Sequence, residues 1–340
     1  MQTRSDTSMP PVWERAAAHL GLTTSAARAG TRTVCIATSR DDNPKAMVLV
    51  FEPGCDQARL AIKTALTPGA VPSLVREAHA LRTVSDRDPG RIGGLVPQVL
   101  ELCSQWPGAM LITTAQPGHP LSTDYHRHGH TSRPDRVAAD LGLAAQVLTR
   151  MAALPSSATS GAAPVSGIGP WAGQVRVAAA DRPSARTALA ELAARVGAPR
   201  RHGIVHGDFW AGNLLHHQQR PTGLVDWEHA TADGDPLADW VRFALAYSLY
   251  LDRHTRSGHR VRGHPGLTGG SWGSGIAYAV DGSGWFPELL RDFVGRGLSL
   301  TGRPSGRWRE ALLAGVAEVA VAADHEGFAQ SHLELLESLT

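Results

Sequence analysis

The chain has 340 residues, 42% of them hydrophobic, enough for a sizeable core in one large domain or two lobes. Its 33 basic and 31 acidic residues leave a net charge of +2, which argues against a global nucleic-acid or membrane-surface binder. No run approaches the roughly 18 consecutive apolar residues of a membrane span, and the opening MQTRSDTSMPPVWERAAAHL lacks the apolar core of a secretory signal. Three widely spaced cysteines, Cys35, Cys55 and Cys103, read as buried small hydrophobes in a reducing compartment, so a cytoplasmic location is expected.

Residues 11–29 carry helical periodicity, with Trp13, Ala16, Ala17, Leu20 and Leu22 near one face. Three β runs follow at 33–38, 46–51 and 59–64, separated by the turn-rich stretches 39–44 and 53–56, the pattern of an antiparallel meander. Val71 to Val84 predicts a helix, with Leu74, Val75, Ala78, Leu81 and Arg82 at helical spacing and Pro72 in the first turn. Two further strands are expected at 96–102 and 109–114, before Gln116-Pro117-Gly118 breaks the pattern as a hinge would. Beyond Pro134 the pattern is helical over 137–154, 183–196, 236–251, 286–293 and 307–324, with 156–169 a flexible linker or surface loop. A β-rich lobe over residues 1–115 and a mainly helical lobe over 116–340 give an α+β fold.

The chemistry concentrates between residues 201 and 246. Gly203-Ile204-Val205 leads into His206-Gly207-Asp208-Phe209-Trp210-Ala211-Gly212-Asn213, and Gly223-Leu224-Val225 leads into Asp226-Trp227-Glu228. Each apolar run places polar groups at the end of a short strand. Asp208 and Asn213 are five residues apart, the step between the base and the metal-binding amide of a kinase catalytic loop. Asp226 adds an anionic oxygen, and an amide oxygen with a carboxylate suits a hard ion such as Mg²⁺. Lysine is scarce, occurring only at Lys45 and Lys63, so Lys63 inside the apolar strand Leu60–Thr64 calls for a chemical reason. A kinase-like site needs a lysine for the α- and β-phosphates there, with Glu77 on the next helix as its partner.

His206-Gly207-Asp208 with Asn213, Val225-Asp226-Trp227-Glu228 and Gly234-Asp235-Pro236-Leu237-Ala238-Asp239 together resemble the aminoglycoside phosphotransferase and choline kinase-like family. The resemblance runs from about residue 30 to 330 and is carried mainly by residues 203–243. It implies a bilobal protein-kinase-like fold, ATP or GTP as donor, Asp208 as catalytic base, and Asn213 and Asp226 as Mg²⁺ ligands. It further implies that His206 shapes the catalytic loop, and that backbone at Thr114, Ala115 and Gln116 bonds the adenine edge. The acceptor would be a hydroxyl of a small molecule: an antibiotic, a sugar or an amino alcohol. The glycine-free stretch 39–45 departs from the Gly-rich phosphate loop of protein kinases, and Asp226 is not followed by Phe-Gly. A catalytically silent nucleotide-binding scaffold is the alternative, against which the intact Lys63, Asp208, Asn213 and Asp226 set stands.

Asp235 and Asp239 are read as capping or bracing the helix that starts near Pro236. Glu228 is read as a loop brace or a metal or substrate contact, and Lys45 and Arg40 as belonging to a solvated turn in preference to contacting phosphate. Tyr125-His126-Arg127-His128-Gly129-His130 reads as a polar loop rather than a metal cluster. Arg253–Gly284 is basic and Gly-rich, either a mobile loop over an anionic acceptor or a disordered insertion. Trp272, Tyr278, Trp285 and Phe286 either line an acceptor pocket or pack a helical core. The local lack of acids favours an acceptor less cationic than an aminoglycoside.

Overall fold

The computed structural model describes residues 12–22, 30–38, 43–87, 92–154, 183–323 and 325–340. The predicted linker at 156–169 and most of the turn at 39–44, with Arg40, lie outside the described residues.

The three-strand meander forms as β1 (Arg32–Thr38), β2 (Lys45–Phe51) and β3 (Ala58–Ala65). With β4 (Val99–Cys103) and β5 (Met110–Thr114) it makes one antiparallel sheet in the order β1-β2-β3-β5-β4. Side chains alternate across the sheet. Leu60 and Ile62 face a cluster with Val50, Met110 and Ile112, capped by Ala16 of α1 (Val12–His19). Ala65 and Leu111 face the other side with Leu74 and Ala78 of α2 (Val71–Arg87). Lys63 alternates with Ile62 and sits opposite Leu111, so the sheet's periodicity presents it on the α2 side. On α2 the buried stripe Leu74, Glu77, Ala78, Leu81 keeps helical spacing, which carries a carboxylate into that same layer.

The cysteine expectation fails. Cys35 is exposed, and Cys55 and Cys103 are only partly buried; none is in a disulfide. For Cys35 the reason is the edge position of β1: among the described residues it pairs only with β2, and Arg32 to Ile36 are all exposed, so its apolar residues do not report a core.

After the hinge come β6 (His119–Pro120), α3 (Leu121–Tyr125) and α4 (Pro134–Ala152). Next are α5 (Pro183–Val196), β7 (Gly203–Val205), β8 (Leu214–His217), β9 (Arg220–Leu224) and β10 (Thr231–Gly234). Helices α6 (Leu237–Leu249), α7 (Ser274–Asp281), α8 (Trp285–Leu300), α9 (Trp308–Ala322) and α10 (Glu326–Leu339) complete the chain. Two short sheets, β6-β8-β9 and β10-β7, lie among the helices and flank the segment from His206 to Asn213. Trp240, Phe243, Phe286 and Phe293 anchor the main core between α6 and α8. The result is an α+β, bilobal protein-kinase-like fold. Among the described residues no helix is long and apolar enough to cross a membrane.

The stretch 253–284 is not a disordered insertion. Gly258 N–H donates to the Gly269 carbonyl and Val261 N–H to that of Leu267, both at 2.9 Å, and α7 fills its second half. Tyr278 and Phe286 stack at 6.0 Å inside the core, whereas Trp272 is exposed.

Candidate active site

The chain bends sharply after Val205, at Gly207, whose φ of +79° only glycine adopts readily, and an added Cβ would collide with the His229 carbonyl. The bend is fastened from below. Asp239, in the first turn of α6, accepts the backbone N–H of His206 at 2.7 Å and of Gly207 at 2.9 Å. Burial raises the Asp239 carboxyl to about 7, against the opposing pull of those two backbone donors. Asp235 accepts the Leu237 N–H at 3.0 Å and holds Arg303 in a buried two-point ion pair at 2.5 and 3.0 Å. Asp235 therefore braces the start of α6, as its position in the sequence predicts, whereas Asp239 fastens the bend at His206-Gly207 to that helix.

His206 is fully buried. Its Nε2 lies 3.0 Å from the Val225 carbonyl, which can only accept, so the proton sits on Nε2. Nδ1 then accepts from the Asp208 N–H at 3.3 Å. Burial pushes the ring down to about 4, even though Asp208 and Asp226 favour its charged form. One neutral imidazole thus ties the catalytic-loop segment to the strand end that precedes Asp226.

Asp208 is held from two sides. Asn213 Nδ2 donates to its carbonyl at 2.9 Å and its Oδ2 at 3.0 Å, while Arg242 of α6 approaches Oδ1 at 2.6 Å. The amide orientation leaves Asn213 Oδ1 as an acceptor. Asn213 also accepts the Val225 N–H at 3.0 Å through its carbonyl, which sets it beside Asp226. Asp226 takes φ of +72°, an uncommon left-handed conformation for a residue with a side chain.

Lys63 joins the two parts of the molecule. Its Nζ lies 2.7 and 2.6 Å from the Glu77 oxygens and 2.7 Å from Asp226 Oδ1. Burial opposes its charge, but the two carboxylates outweigh burial and raise its pKa. Lys63 in turn holds the Asp226 carboxyl below the usual range despite burial. Glu77, Asp226 and Glu228 form an all-carboxylate group whose oxygens lie within 4.8 Å of one another.

Ser73 and Arg242 escaped the sequence reading, and Lys45 is not on a solvated turn: it begins β2 and pairs with Glu228, and Ser73 Oγ donates to the same carboxylate at 2.8 Å. Glu228 is held below the usual carboxylate range, burial opposing, by His229 and Lys45. Arg242 lies three residues after Asp239 on the same helical face, a spacing that could have flagged it.

Thr114 ends β5, and Ala115 and Gln116 follow it before Pro117-Gly118. Thr114 N–H donates to Gln98 at 3.0 Å and Ala115 N–H to Arg59 at 2.9 Å, so both are spent within the sheet. The Gln116 N–H has no partner among the described residues. With its amide set to donate, the Gln116 side chain bonds the Thr222 and Gly94 carbonyls, each at 3.2 Å.

Fold and site together define a kinase-like phosphotransferase. The profile described as the phosphotransferase enzyme family matches residues 51–267, and the chain belongs to that family. The fold is similar to a thermostable variant of aminoglycoside phosphotransferase APH(4)-Ia, solved with AMP-PNP and hygromycin B: TM-score 0.53, 16% identity, 96% of this chain and 98% of that one. It is also similar to aminoglycoside phosphotransferase APH(2'')-Ib, solved with ADP: TM-score 0.50, 14% identity, 96% of each chain. No curated protein sequence matches.

Proposed function

We propose that the chain transfers the γ-phosphate of ATP or GTP to a hydroxyl of a small molecule, with Asp208 as the base. The observation that carries this reading is the meeting of Lys63, Glu77 and Asp226 across the cleft, with the Asp208–Asn213 pair joined to Asp226 through Val225. Lys63, braced by Glu77, grips the α- and β-phosphates. Asp208 orients the acceptor hydroxyl and accepts its proton as the new oxygen–phosphorus bond forms and the diphosphate leaves. The Gln116 N–H, with the hinge carbonyls at Thr114 and Ala115, meets the adenine edge. The complexes of the similar structures with AMP-PNP and ADP support the nucleotide.

The donors fit Mg²⁺, since Asn213 Oδ1 and the Asp226 carboxylate are hard oxygen ligands. When bound, the ion neutralises charge on the phosphates. Asn213 and Asp226 would hold the ion, and Lys63 with Glu77 would meet the phosphates.

The acceptor we infer is neutral or anionic: a sugar, a nucleoside-type antibiotic or a related metabolite, in a resistance or tailoring role. The Arg242 guanidinium on Asp208 Oδ1 disfavours a polycation at the position where the acceptor must bind. The complex of APH(4)-Ia with hygromycin B supports an antibiotic as one class to test. The test is diphosphate release with Mg²⁺ and ATP or GTP over aminoglycosides, nucleoside antibiotics, sugars and choline, with Asp208→Ala as control. Acceptor-dependent release lost in the variant supports the reading. Nucleotide binding without release for any acceptor favours the silent scaffold.

A further inference from the structure

A second cluster of metal-ligating side chains lies outside the phosphate site. His119 is the first residue of β6, next to the hinge glycine Gly118, and pairs in register with His216 on β8. Asp124, one turn into α3, turns back beneath them. One ligand atom from each of the three lies within 4.8 Å of the others. His216 Nε2 is 3.4 Å from Asp124 Oδ2, and His119 Nε2 is 3.7 Å from Asp124 Oδ1. The imidazole rings stand 4.4 Å apart and tilted by 57°.

These contacts are too long or too poorly aligned to be hydrogen bonds. His216 is 98% buried, yet both its ring nitrogens lack a hydrogen-bond partner among the described residues, as does His119 Nε2. Three converging side chains with three unpartnered imidazole nitrogens are costly unless something fills the space between them. Ligands at about 2.0–2.1 Å from a tetrahedral zinc ion stand about 3.3 Å apart, so the observed spacing needs only a small contraction. Arg127 meets Asp124 at 3.1 Å from a largely exposed position and can swing into solvent as the charge is taken over.

We propose that His119, Asp124 and His216 bind one divalent transition-metal ion of the zinc class, with water in the fourth position. Two imidazoles and one carboxylate favour zinc or its neighbours over Mg²⁺. The ion would clamp the segment leaving the hinge to the strand that follows Asn213. It is thus a structural pin at the root of the catalytic-loop segment, separate from the carboxylate group that Lys63 faces.

The test uses tag-free, full-length protein stripped with a chelator and held in millimolar Mg²⁺ to saturate hard oxygen sites. Zn²⁺ is titrated calorimetrically and Co²⁺ by its visible d–d absorption, on wild type, Asp124→Asn and His119→Gln. The expected result is one Zn²⁺ per chain, an intense tetrahedral Co²⁺ spectrum, and affinity at least about 100-fold weaker in both variants. X-ray absorption of the zinc-loaded wild type, which needs no variant, should show two imidazoles in the first shell. An oxygen-only shell, or zinc affinity unchanged by both variants, would overturn the proposal, as would a wild type that takes up no Zn²⁺ and holds only water there.

Discussion

Acid should loosen this protein through one histidine. His206 is buried with Nε2–H on the Val225 carbonyl and Nδ1 accepting from Asp208, and burial holds its pKa at about 4 against 6.5 for a free imidazole. The unfolded chain therefore binds a proton below pH 6.5 that the folded chain refuses until about pH 4. Stability from this group is complete above the unfolded value and is lost as pH falls through that window. The gap corresponds to about 3 kcal/mol in full, and about 2 kcal/mol by pH 5. His206 is fully buried, so solvent screening takes little from that figure. His332, also at about 4, adds a loss of the same sign, while Asp239, raised to about 7, gains stability over part of the same range. Only the difference between wild type and a non-titrating variant isolates His206. Urea denaturation of wild type and His206→Gln at pH 7.5, 6 and 5 provides it: the stability gap between them should shrink by about 2 kcal/mol across the series. A gap that stays constant with pH would refute the argument, because His206 would then titrate alike in both states.

Other perturbations follow from the same contacts. Lys63→Met should cut turnover at least about 100-fold and destabilise the fold by about 3 kcal/mol, since Glu77 is left buried without its cation; kinetics and urea midpoints check both. Arg303→Met should cost about 3–5 kcal/mol by stranding the Asp235 carboxylate, and Asp235→Leu in the same chain should recover a large part. Gly207→Ala should lower the unfolding free energy from urea denaturation by about 2 kcal/mol or more and depress turnover, because the bend and the His229 carbonyl both resist a side chain. Arg242→Gln should raise kcat/KM for cationic acceptors relative to neutral ones by about tenfold, one charge contact's worth.

Much of this architecture is legible in the residues because local chemistry and global position agree. The alternation that buries Leu60 and Ile62 also turns Lys63 to the α2 face, and the 3-4 spacing of Leu74, Glu77, Ala78 and Leu81 brings its partner there. Both facts can be read without coordinates. The Asp208–Asn213 step is similarly local, and the structure joins the two side chains directly. Contacts between distant segments were not legible. Lys45 and Glu228 are 183 residues apart, and nothing at either position announces the other. The β8–β9 hairpin was invisible because Gln218 and Gln219 take positive φ at its turn, where Asn-Gly would have signalled it. The His119–His216 pairing depends on that hairpin, so the histidine cluster was hidden with it. Cys35 misled for another reason, since an apolar run on an edge strand has only one neighbour to bury it.

The central claim is that Asp208 directs phosphoryl transfer to a hydroxyl. Its most direct test is mass spectrometry of acceptors incubated with γ-¹⁸O-labelled ATP or GTP, Mg²⁺ and either wild type or Asp208→Asn. The account predicts that wild type adds one labelled phosphoryl group to a hydroxyl acceptor and that the variant does so at least about 100-fold more slowly. Labelled product formed equally fast by the variant would contradict it.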